Sequence, residues 1–512
     1  MWKRSITILS LLGFFVTVSS AAEYYVDASQ GSDQADGLSE STPWQSLKRL
    51  NKVRFSPGDV IHLRSGEVFK GQFRAKDSGS TEELIQLVSY GQGPKPQIAG
   101  QGLVQSAVLL ENVSHWLIEG IEITNMGVEP QADRRGLLFK VNGGGVYRNV
   151  TFRDLTVRDV NGSVSKKKGG GTGIRWEVDS RKEPTRIDDL LIENCHLIRC
   201  DRDGIKGMMS PWDDLSNLST NIVIRGNLLE DIGGDGIVPI GTDGALIEYN
   251  RLYGMRQRID NLNTKEVTQY AGPSVGIWPW SCKNTHVRFN EVWNYAGTFD
   301  GQGLDSDFNC DGTLFEYNLS AKNAGGFFLI CNWSKHQDSG QSIGNSNTTI
   351  RHNVSFNDHL RGFVVNGPVE NVSIHGNIIY NTIEGQLQLV VDTPWEAGRF
   401  AKSVVVTDNL FYTTGVAQIY QATWDGSGMG LWKAQKSINR KTYSFSGNSY
   451  TRVEGFNGMK HQESKQQQLS AQETLGSLIG RFDSIPHVRD NFDRMHDFLT
   501  QSRYWSLLKA AL

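Results

Sequence analysis

Eight asparagines recur through the middle of this chain, and each stands three residues after an apolar one. They are Asn194, Asn227, Asn250, Asn290, Asn318, Asn353, Asn377 and Asn409, preceded by Leu191, Ile224, Ile247, Val287, Phe315, Ile350, Ile374 and Val406. Successive spacings are 33, 23, 40, 28, 35, 24 and 32 residues. Such self-similarity marks a solenoid. The shortest interval suits one turn of a three-sided parallel coil, and the longer ones are that turn plus loops. Short β-rich runs without helical periodicity argue against helical repeats. The expected fold is all-β, a right-handed parallel β-helix. Stacked Asn side chains can hydrogen-bond from coil to coil and satisfy the backbone at a bend, so this column is read as scaffold. Asp154 heads an earlier, less regular copy.

The flanks differ in character. Residues 1–22 carry a short positive region (Lys3, Arg4), an apolar run and small residues at a cleavage site, the pattern of a signal peptide. Secretion or a periplasmic location follows, with no membrane span elsewhere. Residues 23–100 are expected to form an N-terminal module with a helix opened by Ser41-Thr42-Pro43-Trp44, covering the first coils. The β-helix is assigned to 101–460. Residues 461–512, with Phe498, Tyr504, Leu507 and Leu508 at helical spacing, are expected to be a helical cap on the last coils. A net charge of -3 argues against nucleic acid as partner. Five cysteines, an odd number, leave at least one unpaired within the chain, with room for one disulfide among Cys282, Cys310 and Cys331. The oligomeric state is open.

A second column gives a register. Gly173, Gly204, Gly236, Gly276, Gly303, Gly326, Gly362 and Gly385 are taken as one rung on successive coils, each followed by a core residue except at Gln386. Alternation then turns the residues two and four further on outward. These include Arg175 and Glu177, Lys206 and Met208, Trp278 and Trp280, Asp305 and Asp307, then Phe328 and Ile330. Asp203 and Asp235 precede their glycines on adjacent coils, about 4.8 Å apart.

Close carboxylates divide into an acid and a base, which glycosidic cleavage uses. Asp203 and Asp235 are the expected acid/base pair, with Asp305 or Asp307 as nucleophile or water activator. A Ca²⁺ ion at Asp300, Asp305 and Asp307 is the competing use of those oxygens, although no cofactor is required. Trp278 and Trp280 are expected to stack on a sugar. Arg175 and Lys206 would hold an anionic group, and His336 could reach the groove from its loop.

The Tyr24-Tyr25-Val26 start followed by Gly31-Ser32-Asp33, the Asn-bearing coils, Gly276-Ile277-Trp278-Pro279-Trp280 and Asp300-Gly301-Gln302-Gly303 resemble secreted β-helix enzymes of the pectate-lyase-like superfamily. That resemblance implies a carbohydrate-active protein. A glycoside hydrolase acting on an acidic or sulfated polysaccharide is expected first. A polysaccharide lyase with Lys206 or Arg175 as base is the alternative, and a non-catalytic glycan-binding β-helix the third.

Overall fold

The structure, a computed structural model, describes residues 21–163, 169–257, 272–297, 299–394, 399–422, 437–451, 453–454, 497–506 and 508. The described strands pair in parallel and form three long sheets, the faces of a parallel β-helix. Sheet one has 15 strands and runs from Glu23–Val26 to Tyr443–Ser446. Sheet two has 13, from Val68–Lys70 to Ser449–Tyr450. Sheet three is divided into two six-stranded halves, Phe73–Ala75 to Ile237–Val238 and Gln302–Ser306 to Val453–Glu454.

The Asn repeat organises the bend between sheets one and two. From Asn227 through Asn250, Asn290, Asn318, Asn353, Asn377 and Asn409 to Asn448, each residue donates its backbone N–H and its Nδ2 to Oδ1 of the next, at 2.9–3.0 Å. Every rung satisfies groups that burial would otherwise leave unpaired. The expectation fails at one end. Asn194 lies one position early, at φ 54°, and Cys195 occupies the rung, donating its N–H to Asn227 Oδ1 at 2.9 Å. The apolar column therefore begins at Ile192 rather than Leu191. At the other end Asn448 adds a rung that the spacing did not disclose.

Sheet one carries two further columns. Glu119, Arg153, Glu193, Arg225, Glu248, Arg288, Glu316, Arg351 and His375 stand in register on its outer face. Charge alternates at every step up to the terminal histidine, so a slip of one coil would oppose like charges. Near the strand starts, His115, Asn149, Asp189, Asn221, Gly244, Asn284, Gly312, Asn347 and Asn371 form a left-handed column with φ of 50–74°. Asn, Asp and Gly predominate there because they tolerate that conformation.

The ends depart from expectation. The N-terminal helix is a single turn, Leu47–Leu50, capped by Ser46. Trp44 instead bridges Val26, with its ring stacked on Tyr24. The strands of 23–100 continue directly into the sheets of the coils. Most of 461–512 lies outside the described residues. The part that is described packs on the flank of sheet two, not on the last coils: Tyr504 stacks on Trp293 at 4.2 Å, and Arg503 pairs with Glu230 at 2.7 Å. Phe498, Leu499 and Leu508 join the aromatic outer face of sheet two (Tyr253, Phe289, Trp293) in one buried apolar cluster. All five cysteines are free and buried. Cys282 and Cys310 face each other on adjacent coils, whereas Cys331 belongs to sheet three. Residues 1–20, most of the segment expected to be a signal peptide, and the stretch 258–271 lie outside the described residues.

Candidate active site

The site begins where sheet three is interrupted. Between its halves the coil 276–280 makes only isolated bridges, Ile237 to Ile277, Ile240 to Trp280 and Ile277 to Leu304. Pro239 and Pro279 have no N–H to give a ladder, so regular pairing stops here. The glycine register holds across this break, from Gly173 to Gly303. Its cause is close approach. A Cβ on Gly204 would lie 2.4 Å from Leu229 Cδ2, and one on Gly236 2.3 Å from Leu252 Cδ2.

Beyond Gly303 the expected register slips. Gln302 pairs with Gly326, so Phe327 is opposite Gly303, and Leu389 rather than Gly385 is opposite Gly362. Gly326 is held in a bend at φ 119°, where a Cβ would meet the Arg361 carbonyl at 2.3 Å. Phe328 and Ile330 therefore point into the core, and Leu329 and Cys331 take the outer positions beside Asp305 and Asp307.

The outer face holds two clusters. In the first, Asp203 and Asp235 are in register on adjacent coils as expected, but both are buried. Lys206 Nζ lies 3.3 Å from Asp203 Oδ1 and 3.6 Å from Asp235 Oδ2. Arg202, 1% exposed, approaches Asp235 at 3.6 Å and donates to Ser274 Oγ at 2.8 Å. Trp278 donates its Nε1 to Asp235 Oδ1 at 3.0 Å and is itself buried. Two carboxylates and two cations thus balance in a dry interior, where removing one member would strand the others. Arg175 is bound to Glu177 at 2.7 Å, four coil steps from Asp305.

In the second cluster, one carboxylate oxygen each from Asp305 and Asp307 and the Cys331 sulfur lie within 4.8 Å of one another. Asp307 is part-exposed and Asp305 buried. Asp307 Oδ1 accepts from the Phe308 N–H at 2.7 Å and from Cys331 Sγ at 2.8 Å. Burial and then the negative charges of Asp307, Asp305 and Asp300 push the Cys331 thiol well up, so it stays protonated and donates. Arg361, fully buried, donates to the Asp300 carbonyl at 2.7 Å and to Gly325 O at 2.6 Å, pinning the turn that launches the Gln302–Ser306 strand. Burial lowers the Arg361 guanidinium to about 10, with Asp300 opposing that shift.

Aromatic groups wall this cluster. Trp280 stacks on Trp212 at 5.4 Å, and Phe308 stacks on His336 at 5.5 Å. His336 also meets Trp212 edge-on at 5.2 Å and Trp333 at 4.1 Å. The structure so brings Asp305, Asp307, Trp280 and His336 together, with Trp278 in register beside Asp305 on the adjacent coil and bonded to Asp235 in the first cluster, while Arg175 and Lys206 are held in ion pairs on earlier coils. Trp212, Phe308, Cys331 and Arg361 were not anticipated. Trp212 sits on an irregular strap between strands, where no periodicity operates. Cys331 was lost to the one-residue slip at Gly326. Among the described residues the trio close enough to share a metal is Asp305, Asp307 and Cys331, and a thiol is a poor partner for Ca²⁺.

No protein-family profile matches the chain. It is 29% identical over 456 residues to a lacto-N-biosidase of Bifidobacterium longum subsp. longum, covering 71% of this chain and 27% of that protein. The chain thus spans about a quarter of that curated relative's length. Among solved structures it is similar to the GH136 lacto-N-biosidase from Eubacterium ramulus, with a TM-score of 0.64 and 26% identity over 76% of this chain and 67% of that one. The selenomethionine form of the same enzyme gives a TM-score of 0.61 at 24% identity. These findings agree with the resemblance carried by the motifs: a parallel β-helix of the kind used by carbohydrate-active enzymes.

Proposed function

We propose that this chain is a glycoside hydrolase acting on a neutral oligosaccharide, with Asp305 and Asp307 as its two carboxylates. The observation that carries this reading is their separation, under 4.8 Å between oxygens, beside an aromatic wall. Similarity to lacto-N-biosidases supports the hydrolase class. Asp307, held by N–H and S–H donors that favour negative charge, is the nucleophile. Asp305, more deeply buried, is the acid/base that protonates the leaving oxygen and then activates water. Carboxyl groups about 5–5.5 Å apart belong to retaining enzymes, against about 6.5–9.5 Å for inverting ones. Retention therefore replaces the inversion that an Asp235 and Asp305 pair would suggest.

The anionic-substrate expectation rested on Arg175 and Lys206, which are each ion-paired within the protein. The same pairing removes the base that a lyase would need. A neutral glycan fits what remains: carboxylates, amides and rings. The test is incubation with neutral oligosaccharides containing hexose and N-acetylhexosamine. New reducing ends are expected, lost in Asp307→Asn, with no absorbance near 235 nm from an unsaturated product. A uronate-containing polymer run beside them is the control: ultraviolet-absorbing product from it, with no new ends from the neutral oligosaccharides, would overturn the assignment. Residues 1–22 are proposed to direct export, tested by N-terminal sequencing of protein recovered from the periplasm or medium.

A further inference from the structure

A cleft of about 610 Å³ lies on the outer face of sheet one. It is lined by the left-handed column itself: His115, Asn149, Asp189, Asn221 and Gly244, on successive coils. Those five rungs span about 19 Å at about 4.8 Å per step, the length of an oligosaccharide rather than of one sugar. Thr81, Val223, Leu246 and the Arg148–Asp188 pair complete the lining.

The chemistry of the cleft is unevenly used. Asp188 is saturated by Arg148 at 3.4 Å, Thr220 Oγ1 at 2.9 Å and Asn221 Nδ2 at 2.8 Å. Its neighbour Asp189 points into the cleft and, among the described residues, accepts no hydrogen bond. Burial, then the charge of Asp188, raises the Asp189 carboxyl. Nδ1 of His115, two rungs away, is buried without a partner. The Asp189 carboxylate, exposed along the cleft, with the Asn149 amide one rung away, suits the hydroxyls of a sugar. A cation is not favoured, because Asp188 is already neutralised by Arg148. An anion is opposed by Asp189. Gly244 ends the row with nothing within 4 Å of where its Cβ would be, so the trough stays open there.

We propose that this cleft is a second, non-catalytic binding site for a neutral oligosaccharide. It would hold a glycan chain on sheet one while the interrupted face of sheet three works on its substrate. The choice of glycan draws on the proposed activity, but the site stands on its own residues and is tested without catalysis.

The column supplies its own controls. Asn already occupies this left-handed rung at Asn149, Asn221 and Asn284, so Gly244→Asn fills the trough without backbone strain, and Asp189→Asn keeps the conformation while removing the charge. The probe is an immobilised array of neutral oligosaccharides, with Asp307→Asn as the background so that nothing is cleaved. Binding is expected in the background protein and is expected to fall at least tenfold with either added substitution. Hydrolysis of a small soluble substrate by Gly244→Asn alone should equal that of the parent. No binding in the background, or binding unaltered by Gly244→Asn, would overturn the proposal. Loss of hydrolysis in the parent would instead count against the catalytic assignment and leave the array result to decide this one.

Discussion

The outer faces of sheets one and three are built on the same coils and differ in almost every respect. Sheet one is unbroken from residue 23 to 446, and its charges alternate rung by rung from Glu119 to Arg351. Most of those side chains are part-exposed and exchange pairs with their neighbours. Sheet three breaks between 238 and 302, and there the chain buries Asp203, Asp235, Lys206, Arg202 and Asp305. Repetition makes a surface without catalytic groups, because every charged rung answers the needs of the next. Groups with unusual demands collect where repetition fails.

The largest effect expected from this contrast is on activity. Asp307→Asn or Asp305→Asn should lower kcat by at least about 10³-fold, measured as reducing ends released, with the unfolding midpoint little changed. A comparable loss on neutralising the sheet-one row, for instance in Arg288→Ala, would erase the distinction between the faces. Next comes the buried quartet. Asp235→Ala should destabilise the fold by about 3–5 kcal/mol in urea titration, since Arg202 and Lys206 would be left with Asp203 as their one carboxylate and a net buried positive charge. A loss below about 1 kcal/mol would mean that the quartet tolerates an unbalanced charge. Asn318→Ala, in mid-ladder, should cost about 1–3 kcal/mol through orphaned backbone groups.

A pH experiment separates a third environment. Asp358 is fully buried, accepts from Ser320 and Ser355 at 2.7 Å, and burial raises its carboxyl from 3.8 to about 7. The folded state then holds a proton that the unfolded state has released, so its stabilisation is complete below about pH 4 and lost as pH rises through about 7. Asp358→Asn should flatten that fall in stability across pH 4–7. An identical profile in the variant would show that the carboxyl titrates normally. The smallest effect is expected at Arg351→Ala on sheet one, under about 1 kcal/mol, as befits a part-exposed pair with Glu316.

How far the sequence led follows the same division. The Asn column, its apolar partners and the first five glycine rungs were legible because each recurs for a steric or hydrogen-bonding reason that leaves a fixed residue type. Cys195 and Gly326 broke the reading by one position each, because a column can hold a different residue or surrender its glycine to a bend. Asp305, Asp307 and Trp280 could be nominated from register alone, and His336 from a loop that follows the same face. Burial of Asp203 and Asp235 could not, since Arg202 and Trp278, which close over Asp235, obey no period that marks burial. Arg202 stands next to Asp203 in the chain, yet only the fold turns it onto Asp235. The charge row of sheet one was visible in principle, one residue after each apolar partner, and would have marked that face as scaffold.

The central claim is that two carboxylates lying together on the interrupted face perform the chemistry. Proton NMR of the anomeric signals, recorded in the first minutes of cleavage of a neutral oligosaccharide, reads it most directly. The account predicts that the first-formed sugar keeps the anomeric configuration of the bond that was cut. An inverted first product would require carboxylates much farther apart than Asp305 and Asp307, and would contradict it.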